Sequence, residues 1–203
     1  VALATYSDLK AAIASWLHRD DLAAQIPDFV TLAESRLNRV LRTRQQMTAA
    51  TLSATAGVAT VPLPADWLEF NRLRLTAPNR TLELMSAHQF YSSYPAGVTG
   101  SPRHYRIEGG NLLLGPTPDA NYILSAIYYA AIPALSNSTP TNWLLTAWPS
   151  LYLFAALAES APFVGDDQRA VVWEGKFAAE LAAAQKADAQ AAAAGSALRI
   201  KAR

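Results

Sequence analysis

Residues 142–160 read NWLLTAWPSLYLFAALAES, and from Trp143 to Ala158 no side chain carries a charge. The fold turns on where such a segment goes: into a membrane, into the core of its own domain, or against another copy of the chain. A membrane span needs about 20 apolar residues to cross roughly 30 Å. The uncharged run has 16, which covers only about 24 Å at ~1.5 Å per residue. Upstream lie seven polar or proline residues, Ser136–Asn142, and downstream lies Glu159, whose charge would cost about 2.5–3.5 kcal/mol at a bilayer centre. Pro149 interrupts the run from inside, because it lacks an amide hydrogen and clashes with the preceding turn. The sequence therefore predicts no membrane. Asn142 is expected to cap a short helical turn, and Pro149 to start a new helix running to Ser160.

Around that second helix Leu151, Phe154 and Ala158 point one way and Tyr152 and Ala155 another, with Ser150 the one relief in its first two turns. A helix that is apolar all round is covered all round. Two readings stay open: a central core helix, or one covered by its own core on one side and a neighbouring subunit on the other. Trp143, Trp148 and Tyr152 are accordingly candidates for core or subunit interface.

The composition fits either reading. The chain of 203 residues is 51% hydrophobic and 16% charged, against about 25% charged in an ordinary soluble domain. Either the core is large or much of the surface meets something other than water. A single domain spanning residues 1–203 is the expectation from length. The net charge of +1 gives no field strong enough to hold nucleic acid by phosphate neutralisation, although duplex DNA could pass without specific binding. The chain has no cysteine and three scattered histidines, which removes thiolate chemistry and makes neither a metal site nor a cofactor expected. The opening segment is not expected to be a signal peptide, since Asp8 and Lys10 interrupt any apolar run.

Working outward, Thr5 and Ser7 are good N-caps for a first helix with Leu9, Ile13, Trp16 and Leu17 on one face. Pro27 suits the first turn of a second helix, whose stripe is Phe29, Ala33, Leu37, Val40 and Leu41. From Gln46 the period changes to two. Thr48–Ser53 and Val58–Leu63 read as a hairpin around Ala56-Gly57, with Pro62 and Pro64 placing its second strand at an edge. Trp67–Leu75 reads as a strand and Leu82–Tyr94 as a short helix. His104–Glu108, Gly109-Gly110 and Asn111–Leu114 form the strongest local signal, because paired glycines supply the positive φ of a tight hairpin turn. Tyr122–Ile132 is a further strand. After Asn142 all is helical: Ala170, Trp173, Phe177, Leu181 and Ala184 make a stripe that continues to Ala194, and a tail follows from Ser196 to Arg203. Helices, then strands, then helices predict an α+β fold: a bundle from residues 1–45 and 140–194 with an antiparallel β-rich insertion at 46–132.

No catalytic constellation emerges. His104 and Glu108 are four apart in a predicted strand, without the arrangement of a zinc helix. Asp20-Asp21 and Asp166-Asp167 sit at helix starts, where an acid ordinarily caps. Gly109-Gly110 leads into a strand and not into the helix a phosphate loop requires. Arg36, Arg39, Arg42 and Arg44 cluster at the end of the second helix. They are either a solvated C-terminus favoured by the helix dipole or a contact for nucleic acid or an acidic partner. Arg199, Lys201 and Arg203 with Ile200 carry the same ambiguity on the tail.

The span Pro116–Phe177 resembles the head–tail adaptor (connector) proteins of tailed bacteriophages, the tail-tubular-protein-A-like family and its relatives. The resemblance rests on Pro118-Asp119, Tyr128-Tyr129, Pro133-Ala134-Leu135-Ser136, Asn142-Trp143-Leu144-Leu145, Pro149 with Tyr152, and Asp167 through Trp173, joined by TYSDLKAAIASWLHR at residues 5–19 and PLPADWLEF at residues 62–70. It implies a virion protein without catalytic residues, made in the host cytoplasm and placed in the neck. There copies form a ring, a dodecamer by that resemblance, between portal protein and tail or nozzle protein, and extend the DNA channel. Within that picture the tail residues Arg199, Ile200, Lys201 and Arg203 are expected to dock on the portal. The alternatives are another neck protein, such as a tail-completion or stopper protein, or a binding module outside phages. Ring assembly would account for the low charge density: two neighbours at roughly 800 Å² each would cover about a sixth of the roughly 9,300 Å² expected of a compact monomer this size.

Overall fold

The computed structural model describes residues 3–19, 21–165 and 167–193, with the side chain of Asp167 not described. In chain order the elements are α1 (Tyr6–Leu17), α2 (Ile26–Val40), β1 (Met47–Ala54), β2 (Thr60–Pro62), β3 (Trp67–Leu75), β4 (Arg80–Thr81), β5 (Glu83–Leu84), α3 (Ala87–Ser93), β6 (Thr99–Gly100), β7 (His104–Glu108), β8 (Asn111–Gly115), β9 (Thr117–Pro118), β10 (Tyr122–Ala130), α4 (Trp143–Ala147), α5 (Pro149–Val164) and α6 (Asp167–Ala193). The fold is α+β, with terminal helices flanking a central, mainly antiparallel β region. The chain divides into two compact units, one from residues 1–45 with 132–203, the other from 46–131.

In the helical unit each helix starts where local chemistry allows. Thr5 and Asp8 close a capping box on α1, with Thr5 Oγ1 accepting from the Asp8 amide and the Asp8 carboxylate accepting from the Thr5 amide at 3.0 Å. Pro27 occupies the first turn of α2, where no intrahelical donor is needed. Asn142 Oδ1 accepts the Leu145 amide at 2.8 Å and caps α4, and Pro149 opens α5. That helix runs on past Ser160 to Val164 and ends at Gly165, whose positive φ of 70° reverses the chain into α6. Leu9, Ile13, Leu37, Leu145, Leu151, Tyr152 and Leu157 meet in one core with Trp173 and Phe177. Val40, expected on the buried stripe of α2, is exposed, while Leu41 is fully buried. The helix ends at Val40, and the extended backbone of Leu41 turns its side chain inward instead.

The β unit corrects the expected pairing of its first two strands. β1 does not pair with β2: it lies antiparallel to β10, in a sheet of order β1-β10-β3-β4. β2 crosses to a second sheet, of order β2-β8-β7-β5, and pairs with β8. The turn at Ala56-Gly57 does form, with Gly57 at φ 75° and the Val58 amide bonded to the Thr55 carbonyl. Its amides are taken, however, by Asn121 Oδ1 (2.9 Å, from Ala56) and the Pro118 carbonyl (2.8 Å, from Gly57), so the chain is redirected between sheets. β2 is an edge strand, as Pro62 requires, and it ends before Pro64. The Gly109-Gly110 hairpin joins β7 to β8 as expected. Of Leu82–Tyr94 only Ala87–Ser93 is helical, started by Ser86 Oγ accepting from the Gln89 amide. Leu73, Leu75, Leu124 and Ala126 from one sheet and Val61, Leu112 and Leu114 from the other share a single core.

Candidate functional site

The uncharged segment resolves into two kinds of residue. Tyr152 has no exposed surface; it belongs to the core of the helical unit. Its hydroxyl donates to Glu34 Oε1 at 2.5 Å and accepts from Asn142 Nδ2 at 3.2 Å. The same Asn142 amide donates to the Pro133 carbonyl at 2.7 Å, and the Leu135 amide donates to Glu34 Oε1 at 2.7 Å. One buried network thereby fastens the segment entering α4 to both α2 and α5. Burial pushes the Glu34 carboxyl above its ordinary pKa, against the pull of the Leu135 and Tyr152 hydrogen bonds. Burial first, then the Glu34 charge, pushes the Tyr152 hydroxyl far upward, so it remains a donor. Trp143 and Trp148 are half-buried at the edge of this core. Trp148 borders an open cleft of about 170 Å³ together with Arg44, Ala184, Asp188 and Ala191.

The arginines at the end of α2 are engaged within their own unit. Arg36 forks onto Glu174 of α6, reaches Glu159 of α5 at 3.2 Å, and lies 4.2 Å above the ring of Phe177. The paired Glu174 carboxylate is the main reason its pKa rises. Arg39 Nη1 donates to Ser35 Oγ at 3.0 Å. Arg42 donates to the Asn38 and Leu41 carbonyls, at 2.8 and 2.7 Å, which is the ordinary business of a cation at a helix C-terminus. Arg44 meets Asp188 through both its amide and Nε, each at 3.2 Å, and donates to the Ala191 carbonyl at 3.1 Å. Arg36 and Arg44 thus bind α2 and the residues after it to α6. Arg199, Ile200, Lys201 and Arg203 lie outside the described residues, as do Asp20 and Asp166.

His104 and Glu108 do not converge. Tyr94 Oη lies 2.5 Å from His104 Nδ1, while Glu108 accepts from Tyr91 at 2.5 Å and Arg106 at 3.3 Å. Among the described residues no three His, Cys, Asp or Glu side chains are grouped to hold a metal ion. Nor is any helix of those residues long and apolar enough to cross a membrane.

Exposed apolar side chains mark the helical surface instead: Val171 at 75%, Val172 at 57%, Phe163 at 59% and Leu32 at 50% relative exposure. Phe163 stacks edge-on against Phe29, ring centres 5.5 Å apart, which holds it in place although it faces solvent. Beyond them α6 exposes Ala178, Ala179, Ala182, Ala183 and Ala189, interspersed with Lys176, Gln185, Lys186 and Gln190.

Glu34 escaped the sequence reading although the signal was present. It falls four residues after Val30 and three before Leu37, inside the buried stripe of α2, where a lone acid needs a partner from elsewhere in the fold.

Residues 4–200 match the family model described as SU10 adaptor protein. No curated protein matches the chain.

Proposed function

The chain belongs to the SU10 adaptor protein family, head–tail adaptors of the phage virion, and is a structural protein without enzymatic activity; on that footing we propose that copies of it assemble into a ring on the portal protein and carry the DNA channel toward the tail. The observation that carries the reading is the family match over nearly the whole chain. The finer features, a dodecamer of tail-tubular-protein-A-like type that receives the tail or nozzle protein and is made in the host cytoplasm, follow the resemblance of the motifs around Pro149 and Pro118-Asp119.

In this reading the helical unit makes the lateral contacts. Exposed Val171, Val172, Phe163 and Leu32 support it, since burying each against a neighbour would release water from apolar surface at roughly 25 cal/mol per Å². So do the exposed alanines of α6, because small side chains let another surface approach closely. Trp143 and Trp148, both half-buried, are the tryptophans of the uncharged segment placed to take part; Tyr152, fully buried, is not. Arg39, exposed and bonded only within its own helix, is the α2 arginine best placed for a partner. Residues Arg199, Ile200, Lys201 and Arg203 dock on the portal. DNA passes without being gripped, which the net charge of +1 favours.

The deciding experiment is mass measurement of the protein alone and mixed with the portal protein of the same virion. A closed ring on the portal is expected, whatever the state of the protein alone, because such rings can require the portal as template. Absence of any complex with the portal overturns the proposal.

A further inference from the structure

Two arginines of the β unit, Arg80 and Arg103, share the lining of a pair of clefts without an ion-pair partner among the described residues. Arg80 on β4 and Arg103 just before β7 line two adjoining clefts, of about 400 Å³ with Thr81, Glu83 and His104, and about 320 Å³ with Tyr94, Thr99, Gly100, Ser101 and Pro116. Their backbones are fixed. Arg80 sits opposite Leu75 in the ladder of β3 and β4. The Arg103 amide donates to the Gly115 carbonyl at 2.8 Å, and the Arg103 carbonyl accepts from the Glu83 amide at 3.2 Å. Tyr94, hydrogen-bonded to His104, lines the second cleft. Among the described residues neither guanidinium makes a hydrogen bond or an ion pair. Nη1 of Arg80 is buried and without a partner. Arg36, Arg42, Arg44 and Arg106 find acceptors, whereas Arg74 on the neighbouring β3 also keeps a buried, unbonded Nε. A buried, unbonded guanidinium nitrogen is costly and calls for an acceptor.

We propose that the Arg80–Arg103 clefts are a receptor for a carboxylate side chain on an acidic loop or strand of a partner protein. A guanidinium presents two parallel N–H donors that match the two oxygens of a carboxylate, and a pair of such forks can grip one acid from both sides. The geometry disfavours the phosphate backbone of a duplex. A duplex is a wide convex rod gripped by many cations in a row, whereas these two arginines face recesses, and the donor left over on Arg80 is buried. Glu83 on the rim of the first cleft would repel a continuous polyanion, but a single side chain can pass it. Recognition by this site does not depend on whether the chain forms a ring.

The probe is a short, end-blocked polyglutamate peptide titrated into the full-length protein, followed by NMR of the arginine side-chain N–H signals. Inorganic phosphate, a short DNA duplex and the matching polyglutamine peptide serve as parallel titrants. The expected result is saturable shifts of the Arg80 and Arg103 signals with polyglutamate and none with polyglutamine. The double substitution Arg80→Gln with Arg103→Gln is expected to weaken binding at least about tenfold. Arg80→Lys, which keeps the charge but loses the fork, is expected to weaken it measurably and covers the case in which the double variant fails to fold. Arg72→Gln, on an exposed part of β3, should change nothing. Shifts produced by phosphate or duplex but not by polyglutamate would overturn the proposal, and so would polyglutamate binding that survives Arg80→Lys and the double variant unchanged.

Discussion

The hydroxyl of Tyr152, in the first turn of the sixteen-residue, largely apolar helix α5, donates to Oε1 of Glu34 on α2 at 2.5 Å. The carboxylate that takes this bond is itself buried and also accepts the Leu135 amide. This acid costs its charge form the hydration it would have in water, and the two hydrogen bonds offset only part of that loss.

A pH dependence follows from the direction of the Glu34 shift. Its folded-state pKa is raised above the ordinary value of 4.5, so the folded state holds the proton more tightly than the unfolded chain does. The associated stability is present in full below about pH 4.5 and is lost as pH rises through the raised folded pKa. Replacing Glu34 by Gln keeps an acceptor oxygen and removes the titration. Urea unfolding is therefore expected to show the wild type losing ground to Glu34→Gln from about pH 4.5 toward neutrality. A difference that is flat with pH would show that burial does not control this group.

Tyr152→Phe isolates the hydrogen bond from the packing. The ring still fills its place, while Glu34 loses one donor and keeps Leu135. A loss of about 1–2 kcal/mol is expected from denaturant midpoints at neutral pH. Glu34→Ala should cost more, about 2–4 kcal/mol, since it strands the Leu135 amide and the Tyr152 hydroxyl together.

Arg36→Ala removes a fork onto Glu174, a contact with Glu159 and the stacking over Phe177. The Glu174 side chain is half-exposed, so solvent screens much of the ionic part. The expected cost is about 1–2 kcal/mol, carried more by the guanidinium over the ring than by charge, and it should shrink only modestly in high salt. A cost that vanishes in salt would assign the effect to the ion pairs.

Gly115→Ala tests a close approach in the β unit. An added Cβ would lie 2.5 Å from Cδ2 of Tyr94 and 2.7 Å from Cε2 of Phe90, so these rings must move. Overpacking of this kind costs about 1–3 kcal/mol. The effect should appear as altered near-ultraviolet dichroism with the helical signal unchanged.

Removing residues 196–203 is expected to leave the melting temperature unchanged and to abolish capture by the portal protein. Val171→Glu, at a position 75% exposed, is expected to leave the isolated protein unaltered and to stop ring closure on the portal. Unchanged capture by the truncated chain would remove the tail from the docking role, and normal rings from Val171→Glu would move the lateral contact elsewhere.

Much of this was legible in the sequence wherever the deciding chemistry is local. Thr5 caps α1, Pro149 opens α5 and Gly109-Gly110 turns the β7–β8 hairpin because a missing donor, a capping oxygen or a positive φ acts within three or four residues. The short polar-bounded length of residues 143–158 likewise excluded a membrane without any knowledge of packing. Choices among distant partners were not legible. β1 alternates well enough to pair with several strands. Only the shared core of Val61, Leu73, Leu112 and Leu124, together with Asn121 and Pro118 holding the turn, sends it to β10 and β2 to β8. The basic run at Arg36–Arg44 looks like a free patch until α6 brings Glu174 to Arg36 and Asp188 to Arg44, 138 and 144 residues later in the chain. Local sequence sets which elements form, because their terms are short-range; which acid meets Tyr152 and which arginines remain unpaired are decided by long-range burial, which exists only once the chain has closed on itself.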